Sequence, residues 1–407
     1  MPKKIVLITP GQPSTNPRLV KEAITLSENG FEVAVLYCFW VQWAVEFDQK
    51  IIQDNPQIRW IETGGNPISK PITYYISRIK NKLFRKLNKF FQKSLFLAKR
   101  TEMRAYGEFL KIAKESKADL FIAHNLGALG VAADAAKATK SKFGFDAEDY
   151  HRGQVVDNSS DFKRVILIED ALIPNANYIT AASPQIASAY ESLYKRQIHL
   201  INNVFPIKYL SQKNKEITKP ISLFWFSQTV GKGRGLEYIL LALRNFNTNE
   251  YSLTILGKAD ENIKNYLTDL NAKDNQNPIK INFINPVAHD YVFEISASYD
   301  IGLALETGKD KNNKVALSNK IFTYLLSGNA ILFSNTPAQE KFFKQNDSIG
   351  QIYHSGNVAE LVEVLKKYSD NFDLLKKHKS NALQIAATKM NWEKESNLLL
   401  SLIKAVI

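Results

Sequence analysis

Ser318-Asn319-Lys320-Ile321-Phe322-Thr323-Tyr324-Leu325-Leu326-Ser327-Gly328-Asn329-Ala330-Ile331-Leu332-Phe333 joins a polar helix start, an apolar helix and a short apolar strand in one run. Ser318 and Asn319 suit a helix cap, Ile321, Phe322, Leu325 and Leu326 recur at helical spacing, and Gly328 stands where a helix stops. Ala330 to Phe333 has the length and composition of an interior parallel strand. A helix beginning at the crevice of such a sheet offers free backbone N–H groups and a positive dipole end, to which Lys320 adds a full charge. A phosphate suits that position. The plainer reading is a capped amphipathic helix with an exposed lysine, so neighbouring segments must decide.

They repeat the pattern. In the second half, 221–227, 251–257, 279–284, 300–305 and 330–334 read as strands, with helices starting near Gly235, Asp260, Ala288, Ser318 and Pro337. In the first half, strand-like 5–9, 31–39, 119–124, 142–146 and 178–182 alternate with helical 18–29 and 128–139. Alternation of this kind predicts α/β architecture, with a parallel sheet wrapped by helices in each half. The polar stretch 202–219, with Pro206 and then Pro220, places a boundary between two doubly wound domains facing across a cleft. Ligands of open parallel sheets bind outside the carboxyl ends of the strands, so function is expected there.

Composition fits. The chain has 407 residues, 45% hydrophobic and 23% charged, too long for one ordinary core. No apolar run approaches the roughly 20 residues of a membrane helix, and the run ending at Pro10 reads as a first strand, too short for a signal peptide. Cys38 is the single cysteine, which excludes a disulfide framework and a cysteine metal cluster and fits a cytoplasmic protein. Of the net charge of +13, the segment from Lys70 to Lys117 supplies +11, with fourteen Lys or Arg against Glu102, Glu108 and Glu115.

Three groups of residues stand at expected strand ends. The loop Gln228-Thr229-Val230-Gly231-Lys232-Gly233-Arg234-Gly235 is glycine-rich and doubly basic, so backbone and guanidinium can approach a diphosphate. Its glycine spacing is neither a dinucleotide fingerprint nor a Walker loop, and a surface turn is the alternative. The loop Pro10 to Arg18 lets another molecule near the backbone at Gly11, with Asn16 and Arg18 at the following helix start, or is simply a well-capped turn. His124 and Asp146 end adjacent strands, followed by Glu148, Asp149, His151 and Arg152, a set able to orient an acceptor hydroxyl or stabilise a departing charge. A lone histidine at a strand end is usually structural.

Residues 72–112 are basic with interleaved apolar and aromatic side chains, as in one or two amphipathic helices. Two placements stand: on an anionic lipid surface, which is favoured, or docked with the apolar stripe in the core and the lysines solvated. No recognised motif supports nucleic-acid binding.

Together these residues resemble the retaining glycosyltransferases of the two-domain GT-B fold, family 4 in particular, over nearly the whole chain. The resemblance rests on the Gly11 loop, Asp119 to His124, Asn203 within Ile201-Asn202-Asn203-Val204, Arg234-Gly235, the 318–332 unit and the closing Asn391-Trp392-Glu393 helix. It implies Rossmann-like domains at 1–205, on the acceptor side, and 206–388, which binds the nucleotide sugar, with a helix at 389–407 returning to the first. It implies transfer of a hexosyl group from a nucleoside diphosphate sugar to an acceptor hydroxyl, in cell-surface polysaccharide or glycolipid synthesis at the inner membrane face. The implied donor-binding residues are Gln228, Arg234, Ser318, Asn319, Lys320 and Thr323; His124, Asp146 and Glu306 take the catalytic positions; Gly11, Asn16 and Arg18 lie on the acceptor side. No metal or other cofactor is implied. The expected partners are the donor, a glycan or lipid-linked acceptor, and an anionic membrane surface through 70–117.

The chain departs from the family pattern at three points. Gln228 stands where a second Arg is common, the insertion 307–317 breaks the Glu-x7-Glu pair begun by Glu306, and Thr323 occupies the position of the ribose-binding Glu. A nucleotide-sugar-binding protein without catalysis, or a nucleotide-sugar epimerase, is the alternative.

Overall fold

The computed structural model describes residues 2–213, 216–273, 275 and 277–407. Positions 214 and 215, part of the expected boundary stretch, lie outside the described residues. The chain forms two compact units, Met1–Asn202 with Ser396–Ile407, and Asn203–Glu395.

The first unit is built on seven strands: β1 (Lys4–Ile8), β2 (Glu32–Cys38), β3 (Arg59–Thr63), β4 (Leu120–His124), β5 (Lys142–Ala147), β6 (Tyr178–Ala181) and β7 (His199–Leu200). All pair in parallel in the order β3-β2-β1-β4-β5-β6-β7, so the order reverses between β1 and β4. Residues 5–8 and 120–123 are fully buried in neighbouring strands, the continuous apolar runs that a sheet covered on both faces requires.

The second unit has six strands: β8 (Ile221–Thr229), β9 (Tyr251–Lys258), β10 (Lys280–Ile284), β11 (Ile301–Ala304), β12 (Ala330–Ser334) and β13 (Gly350–Tyr353). They too are parallel, ordered β10-β9-β8-β11-β12-β13, with the reversal between β8 and β11. A hydrophobic core runs beneath β8, β9 and β11 through Leu223, Trp225, Leu253 and Leu303.

Sequence periodicity missed β3, β7 and β13, all of them sheet edges. An edge strand needs no continuous apolar run, and Arg59-Trp60-Ile61-Glu62-Thr63 has none. The basic segment forms three helices, Pro71–Phe90, Leu95–Glu102 and Tyr106–Ser116, where one or two were expected. Trp392–Val406 is a single helix whose residues from Ser396 onward belong to the first unit. Among the described residues no helix is long and apolar enough to cross a membrane.

Candidate functional site

In the second unit the loops that follow β8 and β11 flank the strand-order reversal. They cross so closely that a Cβ on Gly235 would lie 2.2 Å from the carbonyl oxygen of Leu305, and Gly235 holds φ +84°. Only glycine meets both demands. The helix Asn319–Ser327 is fixed beside them by Tyr324. Its ring lies against Gly302 of β11, where a Cβ would come within 2.2 Å of it, and its hydroxyl donates to the carbonyls of Phe224, 3.1 Å away, and Leu303, at 3.2 Å. The helix start is thereby held at the carboxyl ends of β8 and β11.

Glu306 is the centre of this arrangement. Its Oε1 accepts from Ser318 Oγ and from Lys320 Nζ, each at 2.9 Å, and its Oε2 accepts from Asn313 Nδ2 at 3.1 Å. Burial would raise the Glu306 carboxyl, but the Lys320 charge and the hydrogen bonds from Lys320, Asn313 and Ser318 outweigh it and bring its pKa to about 2. The carboxylate is therefore ionised across the physiological range.

Ser318 occupies the N-cap position, yet its side chain makes no capping bond and turns to Glu306 instead. This corrects the expectation of an ordinary cap. Asn319 is exposed at the first turn, whereas Thr323 is buried one turn further on. Asn313, which sequence reasoning passed over, comes from the short helix Lys311–Val315 within the insertion. The insertion thus adds a hydrogen-bond donor to Glu306.

The basic loop is laid out on the same side of the sheet. Arg234 is exposed, donates to the carbonyl of Thr229 at 3.1 Å and lies 5.7 Å from the centre of the Trp225 ring. Lys320 Nζ lies 5.5 Å from the same ring centre, so two cations converge over one buried indole. Gln228 is exposed near the end of β8, and Lys232 reaches the Tyr266 ring at 4.2 Å. Backbone N–H groups, an arginine and a lysine arranged in this way can receive a multiply charged anion.

The first unit brings its predicted residues together differently. Arg18, at the start of the helix Pro17–Glu28, grips Asp146 with Nε to Oδ2 at 2.5 Å and Nη2 to Oδ1 at 2.9 Å, and donates Nη1 to the Ile201 carbonyl at 2.7 Å. His124 Nε2 lies 3.2 Å from Glu22 Oε2, while its Nδ1 lies 3.0 Å from Glu148 Oε1 and 3.3 Å from Asp146 Oδ2. Burial would lower the His124 pKa; the surrounding Glu22, Glu148 and Asp146 carboxylates raise it to about 10. Burial would likewise raise Asp146, but Arg18 and His124 hold it below the usual carboxylate range.

The side chains of His124 and Asp146 are 0% and 1% exposed. As folded they face no solvent, and both take part in an interior charge network with Glu22 and Arg18. Asn16 caps the 17–28 helix through Leu19 N at 3.0 Å and donates to Glu148 at 2.6 Å, which leaves Glu148 as the partly open edge of the network. Arg152 is committed elsewhere, to Glu169 and Asp170. The Gly11 loop is ordered by Gln12, which sequence reasoning also missed: its Oε1 accepts from Trp40 N at 2.9 Å and Val41 N at 2.6 Å, and its Nε2 reaches Asp48 at 2.5 Å.

Glu22, His124 and Asp146 bring ligand-type atoms within 4.8 Å of one another. Arg18 already occupies both oxygens of Asp146, so the cluster is balanced by cationic side chains and is a poor metal cradle.

Residues 237–401 match the family model described as glycosyl transferase-like. Comparison with curated protein sequences finds no match. In three dimensions the chain is similar to sucrose-phosphate synthase from Thermosynechococcus elongatus, with TM-score 0.72, 15% identity and coverage of 99% of this chain and 98% of that one. It is also similar to Anabaena HepE in complex with UDP-glucose, with TM-score 0.70, 13% identity and 99% of each chain covered. A glycosyltransferase from Rickettsia africae aligns with TM-score 0.67 and 15% identity over 100% of this chain and 98% of that one. The fold is that of the two-domain GT-B proteins.

Proposed function

We propose that the protein is a retaining glycosyltransferase that moves a hexosyl group from a nucleoside diphosphate sugar to an acceptor hydroxyl, in the assembly of cell-surface polysaccharide or glycolipid. The observation that carries this reading is the convergence of Lys320, the Ser318 helix start and Arg234 at the strand-order reversal of the second unit, around the ionised Glu306. The glycosyl transferase-like match covers this half of the chain, and HepE, of the same fold, is a complex with UDP-glucose.

When the bond between the anomeric carbon and the diphosphate breaks, negative charge grows on the leaving oxygens. Lys320, Arg234 and the N–H groups of the 319–327 helix are already oriented to meet it, so little reorganisation accompanies the step. Glu306 restrains Lys320 and places a carboxylate toward the donor sugar. Asn319, Gln228 and Thr323 complete the donor side, while the loop holding Gly11 and Asn16, braced through Arg18, serves the acceptor. A binding protein without turnover is the second reading, favoured by the burial of Thr323 at the position of the ribose contact.

Calorimetric titration with a panel of uridine, guanosine and other nucleoside diphosphate sugars, without metal or acceptor, tests the proposal. Selective micromolar binding by one of them is expected, followed by sugar transfer once an acceptor is supplied. No binding to any member would overturn the donor assignment, and binding without transfer to any glycan or lipid-linked acceptor would favour the second reading.

A further inference from the structure

More than half of the large hydrophobic side chains that stand exposed among the described residues fall between positions 68 and 96. Those on the helix Pro71–Phe90 form a stripe. Ile72, Ile76, Ile79, Leu83 and Phe90 follow one another at spacings of four, three, four and seven, which places them on one helix face. Ile72 is 76% exposed, Ile79 66%, Leu83 53% and Phe90 74%.

The opposite face is the one packed on the protein, through Tyr74 against Phe39, Phe84 against Phe96, and polar groups beside them. Ser77 and Asn88 are buried; Ser77 Oγ donates to the Gly64 carbonyl at 3.0 Å, and Asn81 Nδ2 donates to the carbonyls of Arg100 and Thr101 at 2.9 and 3.2 Å. A further apolar stripe turned outward, on a helix already docked by its other face, departs from the usual arrangement of a surface helix. The core is therefore not what the stripe covers.

We infer that this helix is a membrane-surface docking element, lying in the interface of an anionic bilayer with its apolar stripe inserted among the lipids. Charge decides between the bilayer and a second copy of the chain. From position 63 to 101 there are ten Lys or Arg and no Asp or Glu, and Lys80, Lys82 and Lys89 flank the stripe. A second copy would present the same cations to the same cations, whereas an anionic lipid surface complements them. Apolar insertion beside basic residues is how a helix lies on a bilayer without crossing it, and the helix is not of a kind that crosses. The inference is independent of the transferase reading.

The test is co-sedimentation of the full chain with vesicles of phosphatidylglycerol and phosphatidylcholine, against vesicles of phosphatidylcholine alone. Binding to the anionic vesicles that weakens as salt rises is expected, as is about a tenfold or greater loss in the double variant I79E/L83E. Since both side chains are exposed, melting temperature and hydrodynamic radius should not change. The variant K82E/K89E provides a second measure, expected to weaken binding most at low salt. Failure of the wild-type protein to bind, or binding undiminished in I79E/L83E and K82E/K89E, would overturn the inference. So would a concentration-dependent dimer that the I79E/L83E change disperses, since it would assign the stripe to a second copy.

Discussion

Arg234 and Lys320 both approach the Trp225 ring, but they stand in different surroundings, and substitution separates their roles. Arg234 is exposed and its hydrogen bond is to a backbone carbonyl, so Arg234→Ala should weaken donor affinity by about 1.5 to 3 kcal/mol and change stability by less than about 0.5 kcal/mol. Lys320 is the counter-charge of Glu306. Lys320→Ala should therefore weaken donor binding and also cost about 1 to 3 kcal/mol of stability, because it leaves a carboxylate without its cation. Calorimetric titration with the donor and urea unfolding of the two variants check this. Equal stability of the two would contradict the role given to the ion pair. At this scale the sequence showed which residues were present, and Lys320, Arg234 and Glu306 were all singled out from it. It did not show that Asn313 turns to Glu306, because that contact depends on how the insertion folds back.

At the scale of elements, the placement of the helix Asn319–Ser327 depends on two close approaches. One is Gly235 crossing Leu305, the other Gly302 under Tyr324. Gly235→Ala would meet both a left-handed backbone and an overlap with the Leu305 carbonyl, so it should cost about 2 kcal/mol or more and displace the Arg234 loop. Its melting temperature should fall, and donor affinity should fall with it. A melting temperature equal to that of the wild type would show that the crossing can relax. The central strands were legible because each is a continuous apolar run, whereas the edge strands β3, β7 and β13 were not, because an edge need not be apolar throughout; the edge strand β10 was legible at 279–284. The helix Pro71–Phe90 gave its amphipathic period plainly but not its direction. Periodicity is the same whether the stripe points inward or outward, and only the contacts of Ser77 and Asn81 distinguish the two.

For the whole molecule, each unit contains a buried charge cluster: that of the first unit responds at both ends of the pH range, through His124 and through Asp146, and that of the second responds at the acid end through Glu306. His124 has its pKa raised from 6.5 to about 10 among Glu22, Asp146 and Glu148, with Arg18 beside them. Its stabilisation of the first unit is full below about pH 6.5 and is lost as pH rises through about 10. Glu306 has its pKa lowered from 4.5 to about 2, so its stabilisation of the second unit is present above about pH 4.5 and is lost as pH falls through about 2. Scanning calorimetry across pH should show the transition of the first unit falling on the alkaline side through His124 and on the acid side through Asp146, and that of the second falling on the acid side. His124→Gln should flatten the alkaline fall, and an unchanged alkaline profile in that variant would remove His124 as its cause.

The sequence by itself determined that this is a two-sheet α/β protein with a cationic helix start in its second half and a strongly basic segment in its first. Apolar runs, caps and glycine stops are local properties, and they fix element type before any long-range contact forms. Only the tertiary structure decided the rest. It buried His124 and Asp146 in an interior network, brought Asn313 and Ser318 onto Glu306, and turned the apolar stripe of Pro71–Phe90 to the outside. Each of these depends on which distant backbone a side chain meets, and a one-dimensional pattern carries no such distances.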